Sequence, residues 1–255
     1  MAAFPKIFAG TLWQTNLTVI GTILFTGLVV FIVLRLALAR MDMRSPRGLQ
    51  NLVEWAADFT SNMARETMPT EQSVRFIMPL AFTMLFFLFV ANWLGLIMTV
   101  AVHFHPSVAS VWGISPAELE SAKGEVVLFD SPTSNMSMTL GLAVMVWLIS
   151  HARGLRHPKQ WLKHFYSPSP LAVIEEITNP LTHGMRLYGN IFAGEALLGI
   201  MLNAPFALHW IPWQTPLVVL WLLYSGFVAT IQAYVFSILM CLYVGNKSFE
   251  GNAHH

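Results

Sequence analysis

Charged residues are scarce in this sequence, and their scarcity excludes several classes of protein. Only 11% of the 255 residues are charged, whereas 55% are hydrophobic. Soluble domains carry about 25% charged residues, so this chain has too few charges to cover a surface that faces water. Lysine and arginine number 14 against 13 acids, and the net charge of +1 gives no indication of nucleic-acid binding. The composition therefore predicts a membrane protein.

Cysteine is almost absent as well. The single cysteine, Cys241, cannot form an intrachain disulfide, and it lies within an apolar run. A lone thiol in such surroundings is expected to be a small buried side chain.

Long uncharged segments, by contrast, are frequent. A helix needs about 20 mainly apolar residues to cross a hydrocarbon core of about 30 Å, and five segments have suitable composition. The predicted spans are residues 17–34, 76–100, 135–150, 171–202 and 217–244. Several arginines follow the first span and one lysine precedes it, which is the reverse of a cleaved signal peptide. The sequence predicts an all-α integral membrane protein with five membrane-spanning helices, in a single membrane domain over residues 1–255.

The charges between these segments predict an orientation. Residues 101–134 form an outer loop with four acids and one lysine, whereas residues 151–170 form a basic loop. Because basic loops stay on the cytoplasmic side, the N-terminus is expected outside and the C-terminus in the cytoplasm. Residues 47–68 alternate charged and apolar side chains at helical spacing. They are predicted to form an amphipathic helix in the cytoplasmic interface.

The fourth span differs from the others because it carries charged and polar side chains. They are Glu175, Glu176, Asn179, His183, Arg186, Asn190 and Glu195. A charge near the centre of a membrane helix costs about 2.5–3.5 kcal/mol on insertion scales, so such residues are functional by default. Arg186 lies about 15 residues from each end of the segment, too far to reach an interface by extending its side chain. The pattern indicates that Arg186 is the central functional residue.

Helix geometry separates these charges in depth. Glu195 follows Arg186 by nine residues, so it faces the opposite side of the helix, about 13.5 Å further outward. Asn190 lies one turn beyond Arg186 on the same side, and Glu175 and Glu176 lie about three turns back, towards the cytoplasm. This arrangement predicts two water-accessible half-paths that a fixed positive charge separates.

The last span carries polar residues at matching depths. It runs in the opposite direction, so Gln232 is predicted near the level of Arg186, with Ser225 about 10.5 Å further outward. Polar residues of this kind also serve simply as hydrogen bonds between helices, and the sequence leaves that alternative open. The fourth span has 32 residues, about 48 Å of helix, so it must tilt strongly or protrude from the bilayer.

The segment from Glu175 to Glu195, EEITNPLTHGMRLYGNIFAGE, resembles subunit a of the bacterial F-type ATP synthase, the proton-channel stator of its membrane sector. Its second half, from Arg186, is highly specific for that family. Residues 230–236 resemble the motif of the family's last helix, and residues 48–55, 89–95 and 131–133 are also similar. The resemblance therefore covers nearly the whole chain.

The resemblance implies a role for each polar position. Arg186 would face a ring of c subunits, release the proton from each passing carboxylate and block leakage between two half-channels. The remaining positions would line the proton route or support the arginine: Glu195, Asn190, Gln232, Ser225, Glu175, Glu176, His183 and Asn135. At Asn135 many family members carry an acid, so the outer half-channel is expected to depend more on Glu195.

The resemblance also implies an assembly. The last two helices would form a tilted hairpin against the c-ring, and the b subunits of the peripheral stalk and other synthase subunits would be partners. The chain would lie in the bacterial cell membrane, catalyse nothing on its own, and need no cofactor or metal.

Two other classes of function are weaker interpretations. A secondary transporter coupled to protons or sodium often shows an inverted repeat, and the sequence has no repeated half. An intramembrane enzyme needs a nucleophile and base within the spans, and no such constellation is present. His103 and His105 in the outer loop suggest a metal site, but no other ligands accompany them, and solvated histidines are the better interpretation.

Overall fold

The protein is a bundle of long helices. The computed structural model describes residues 3–7, 15–39, 48–103, 105, 112–166, 171–202 and 215–248. The first described elements in chain order are β1 Lys6–Ile7, β2 Thr15–Asn16, α1 Leu17–Leu38, α2 Leu49–Thr67, α3 Glu71–Ile97, β3 Val100–His103 and α4 Pro116–Ser121. They are followed by β4 Glu125–Phe129, a 3-10 turn at Pro132–Ser134, α5 Met136–Gly154, α6 Pro158–Tyr166, α7 Leu171–Leu202 and α8 Thr215–Asn246.

Four of these helices, α1, α3, α5 and α8, are long and apolar enough to cross a membrane. The fourth predicted span coincides with α7, whose 32 residues include the charged and amide side chains that lower its hydropathy. The structure therefore supports the predicted all-α membrane protein, and the count of five spans stays a prediction.

Local sequence signals explain where the helices begin. The Thr70 hydroxyl accepts a hydrogen bond from Ser73 N at 3.3 Å and caps α3, so this helix starts five residues before the predicted span and ends at Ile97. The Asn135 side chain accepts from Ser137 N at 3.0 Å and caps α5. Side-chain oxygens at this position satisfy backbone donors that the helix itself leaves free.

The segments predicted as loops contain regular structure. Strands β3 and β4 pair antiparallel within the predicted outer loop. In the predicted basic loop, α5 continues to Gly154 and α6 adds nine residues of helix. Helix α2 occupies most of the predicted amphipathic segment, and it exposes Leu52 and Trp55 while it buries Val53 and Ala56. Its position at a membrane interface remains a prediction.

The core lies where α3 and α8 pack together, with α2, α5 and α7 around them. Phe236, Met240 and Cys241 of α8 are fully buried there, together with Leu88 of α3 and Leu187 of α7. The expectation that Cys241 is a buried side chain is thus confirmed.

Candidate functional site

Arg186 lies on an exposed flank of α7. Its neighbours His183 and Leu187 are only 2% and 0% exposed and point into the bundle, whereas Arg186 itself is exposed. Among the described residues no ion pair involves Arg186, and it does not pair with Glu195. Its side chain thus lies on an accessible face of the described bundle.

Helices α7 and α8 are joined by two amides close to Arg186. Asn190 Nδ2 donates a hydrogen bond to Gln232 Oε1 at 2.8 Å, and Gln232 is only 3% exposed. The sequence predicted Gln232 near the level of Arg186; in the structure Gln232 pairs with Asn190, one turn further along α7. Because buried amides are costly when unpaired, this bond fixes the register of the helix pair.

A cavity lies between α3, α7 and α8 on the outward side of this bond. It has a volume of about 160 Å³, and its polar lining comprises Asn92, Asn190, Glu195, Tyr224 and Ser225. We call it the outer cavity. Its volume is sufficient for several water molecules. The structure thus brings together Glu195, Ser225 and Asn190, three of the residues that the sequence predicted for one half-path.

The outer cavity also involves an acid that sequence analysis missed. Asp130 accepts hydrogen bonds from Ser131 N at 2.7 Å and from the Ser134 hydroxyl at 3.0 Å, and its carboxyl group lies beside that of Glu195. Burial raises the pKa of Asp130, and these hydrogen bonds oppose the effect. Glu195 Oε1 is buried without a hydrogen-bond partner among the described residues. Two adjacent carboxyl groups disfavour simultaneous ionisation, so this pair is chemically suited to bind a proton.

A hydrogen-bond network holds the turn that carries Asp130. Ser131 Oγ lies 2.7 Å from Thr133 Oγ1, which donates to Asn92 Oδ1 at 2.8 Å. Asn92, 1% exposed, donates in turn to the carbonyl of Ala229 in α8 at 3.1 Å. Gly95 permits this contact, because a Cβ atom at that position would overlap Ser131. The network fixes the 3-10 turn against α3 and α8.

A second cavity, of about 90 Å³, lies near the other end of α7, between α5, α7 and α8. Its polar lining comprises Ser150, Glu175, Glu176, Asn179, Tyr243, Asn246 and Lys247. We call it the inner cavity. Glu175 and Glu176 therefore lie at the opposite end of α7 from Glu195, as predicted. Sequence analysis missed Lys247, whose Nζ lies 2.5 Å from Glu176 Oε2.

Besides Arg186 and Gln232, two predicted site residues, His183 and Asn135, line neither cavity. His183 packs its ring on Phe236, with the ring centroids 3.9 Å apart, and its buried Nε2 has no hydrogen-bond partner among the described residues. Asn135 caps α5. The structure therefore does not join His183 or Asn135 to the other predicted residues.

The outer-loop histidines do not form a metal centre in the described structure. His103 Nε2 lies 3.6 Å from Glu125 Oε1, and both side chains are exposed. No group of three or more potential ligands occurs among the described residues.

The fold and the two cavities define the class: an all-α multi-pass membrane protein in which one charged helix runs between two polar cavities. Residues 20–245 match the family model described as ATP synthase A chain. The chain belongs to this family.

Curated relatives agree with the family match. A protein named ATP synthase subunit a from Staphylococcus aureus is 37% identical over 242 residues, which cover 91% of this chain and 90% of that protein. Its namesake from Staphylococcus epidermidis is 35% identical over 246 residues, 93% of this chain and 92% of the relative. The one from Enterococcus hirae is 34% identical over 247 residues, 93% of this chain and 94% of the relative.

Proposed function

We propose that this chain is the proton-translocating stator subunit of an F-type ATP synthase, in which Arg186 separates two offset half-channels and couples proton flow to the rotation of a c-ring. One observation carries the proposal. The exposed Arg186 lies on α7 between the outer cavity, which Glu195 lines, and the inner cavity, which Glu175 and Glu176 line.

Membership of the ATP synthase A chain family makes the chain a non-catalytic membrane subunit that works with other ATP synthase subunits. It also decides against a secondary transporter that acts alone. The relatives are bacterial, and the apolar helices suit a multi-pass protein of the bacterial membrane. The proposed orientation has the N-terminus outside and the C-terminus in the cytoplasm, so the two cavities open to opposite sides.

The outer cavity supplies protons in this mechanism. Protons enter from outside and reach Glu195, which lies beside Asp130. Asn190 and Ser225 line the same space and can orient water towards Glu195. A carboxyl group that gives up one proton and takes another from water acts here as a general acid and base.

Arg186 acts electrostatically. A carboxylate beside a guanidinium is stabilised in its ionised form, whereas a carboxylate in lipid is stable only when neutral. A ring carboxylate is therefore protonated from the outer cavity before it turns into lipid, and it releases its proton when it returns to Arg186. The fixed charge also repels protons that would otherwise pass directly between the half-channels.

The inner cavity receives the released proton. Glu175, Asn179 and Tyr243 line it, and it is large enough for several water molecules. The proton leaves through this space to the cytoplasm. In the proposed assembly α7 and α8 form a tilted hairpin against the c-ring, and the b subunits of the peripheral stalk hold the chain in place.

Cross-linking tests the proposed ring contact. On α7, Ala193 is exposed and lies about two turns from Arg186, whereas Ala233 of α8 is fully buried. In a Cys241→Ala background, Ala193→Cys should cross-link to a cysteine placed in the outer helix of the ring subunit within the assembled complex. The matched control Ala233→Cys should give no such product. Failure of Ala193→Cys to reach the ring, or equal cross-linking from both positions, would contradict the proposed contact.

A further inference from the structure

Three buried side chains at the inner cavity form an ion-pair cluster that joins three helices. Lys247 follows α8, Glu176 belongs to α7 and His151 belongs to α5, and their side chains are 6%, 12% and 11% exposed. We call them the inner triad. Lys247 Nζ lies 2.5 Å from Glu176 Oε2 and 3.0 Å from His151 Nε2.

His151 contacts both other members of the triad. Its Nδ1 lies 2.9 Å from the carbonyl oxygen of Trp147. Lys247 Nζ lies 3.1 Å from Nδ1 and 3.0 Å from Nε2, so the ammonium packs against the imidazole ring and not along a single nitrogen. Nε2 lies 3.4 Å from Glu176 Oε2. The three side chains are therefore in mutual contact, with the shortest distance between Lys247 and Glu176.

The position of Lys247 is set by backbone structure. Lys247 N donates to the carbonyl of Val244 at 3.3 Å, and Ser248 N donates to the carbonyl of Gly245 at 2.9 Å, so the chain turns directly after α8. Gly154, at the end of α5, packs against Trp161, since a Cβ atom there would lie 2.6 Å from Trp161 Cδ1, whereas its 3.5 Å distance to Lys247 Cβ would be an ordinary contact. The turn after α8 thus sets the position of the Lys247 backbone.

The adjacent glutamate has a different environment. Glu175 is exposed and lines the inner cavity, and no ion pair between described residues involves it. Glu175 and Glu176 are neighbours in sequence and line the same cavity. Among the described residues, a lysine, Lys247, pairs with Glu176 and not with Glu175.

We propose that Lys247 is a positioning residue of the inner half-channel: it holds Glu176 as a permanently ionised carboxylate, so that Glu175 is the glutamate that exchanges protons with the inner cavity. This inference rests on the proposed function, because it assigns roles within the proton path described above.

Electrostatics supports this division. Protonation of Glu176 would break its pair with Lys247 and leave a cation without its counter-ion in a buried site, which is strongly unfavourable. Burial lowers the pKa of the Lys247 ammonium, and the hydrogen bond and charge of Glu176 oppose that effect. The ion pair with Glu176 thus opposes the effect of burial on Lys247, whereas Glu175 belongs to no ion pair between described residues.

The groups around the inner cavity define which of them can titrate. His151 faces the triad from α5, Tyr243 lines the cavity from α8, and Glu175 lines it from α7. His151 contacts Lys247 and Trp147. Among these groups Glu175 is the exposed acid that belongs to no ion pair between described residues, so proton exchange is assigned to it.

The experiment compares four variants in the whole ATP synthase, in inverted membrane vesicles, with ATP-driven proton pumping measured against the pH of the cytoplasmic side. Glu175→Gln should lower pumping per assembled complex by about tenfold. Glu176→Gln, its neighbour and matched control, should leave the pH profile unchanged. Because Glu176→Gln leaves Lys247 unpaired and can impair assembly, the double variant Glu176→Gln/Lys247→Gln removes both charges and should restore assembly with the same pH profile.

The fourth variant tests Lys247 directly. In Glu175→Gln/Lys247→Gln the carboxyl group of Glu176 is released, so it should take over proton exchange and recover most of the pumping that Glu175→Gln loses. If Lys247 has only a structural role, its removal should lower pumping further than Glu175→Gln does alone. The inference is overturned if the double variant pumps no faster than Glu175→Gln, or if Glu176→Gln shifts the pH profile as Glu175→Gln does.

Arg186→Ala, measured in parallel, separates this inference from the proposed function. Loss of coupling in Arg186→Ala together with unaltered pumping in Glu175→Gln would reject the inference alone. Retained coupling in Arg186→Ala would reject the proposed function itself.

Discussion

The outer and inner cavities lie near opposite ends of α7, and their carboxyl groups have different neighbours. In the outer cavity Glu195 lies beside another acid, Asp130, and no described cation pairs with either. In the inner cavity Glu176 Oε2 is 2.5 Å from Lys247 Nζ and 3.4 Å from His151 Nε2, whereas no ion pair between described residues involves Glu175. One site combines two acids and the other balances one acid with a cation.

This difference has a chemical consequence. Two adjacent carboxyl groups together retain one proton, because simultaneous ionisation of both groups at close range is unfavourable. A carboxylate paired with an ammonium excludes the proton. The outer cavity is therefore suited to hold a proton ready for transfer, and the inner cavity is suited to let one pass.

The largest expected effect concerns the outer acids. Glu195→Gln replaces a group that exchanges protons by an amide that does not, and it should lower proton-driven ATP synthesis by about a hundredfold. Asp130→Asn keeps a hydrogen-bond donor beside Glu195 and should cost about tenfold. Synthesis rates per assembled complex in vesicles would measure both. A larger loss in Asp130→Asn than in Glu195→Gln would reverse the roles assigned to the pair.

A smaller effect is expected from the glycine that lets α3 contact the turn before α5. In Gly95→Ala the new Cβ atom overlaps Ser131, and such overpacking costs about 1–3 kcal/mol. The turn should move, carry Asp130 away from Glu195 and lower synthesis several-fold. Gly141→Ala is the matched control, because its Cβ atom has nothing within 4 Å and alanine favours the helix by about 1 kcal/mol. Equal behaviour of the two variants would show that the turn does not position Asp130.

The smallest expected effect is a change in the pH dependence of stability. Burial raises the pKa of Asp130 above its usual 3.8, so the folded chain binds this proton more tightly than the unfolded chain. Its contribution to the free energy of unfolding is present below pH 3.8 and is lost as pH rises through the folded pKa. Thermal unfolding of the purified complex at several pH values should show this slope in the wild type and a flatter one in Asp130→Asn. An identical slope in both would show that Asp130 does not contribute to the pH dependence of stability.

Much of the architecture could be predicted because it depends on periodicity along single helices. The bounds of α7 agree with the predicted span 171–202, and the depth of Glu195 relative to Ser225 follows from 1.5 Å per residue. The antiparallel arrangement placed Gln232 near Arg186, whereas the observed partner of Gln232 is Asn190, one turn further along α7, because side-chain reach and helix packing decide between neighbouring turns.

The residues that sequence analysis missed reach the cavities from distant parts of the chain. Lys247 and His151 are 96 residues apart in sequence, and hydrophobic periodicity gives no information on which loop side chain folds into a bundle. A local signal existed for Asp130, since it directly precedes the Ser131-Pro132-Thr133 stretch that resembles the family. The role predicted for His183 stays a prediction; stacking on Phe236 directs its ring into the bundle, a contact that its polarity did not indicate.

The central claim is that Arg186 both couples and separates the two half-channels. Its most direct test is Arg186→Ala in the whole ATP synthase, with ATP synthesis and passive proton flux measured in the same energised vesicles. The account predicts that synthesis is abolished while protons leak through the membrane sector, because the outer and inner cavities lose the charge between them. Synthesis retained in Arg186→Ala, or loss of synthesis without any proton leak, would contradict the account.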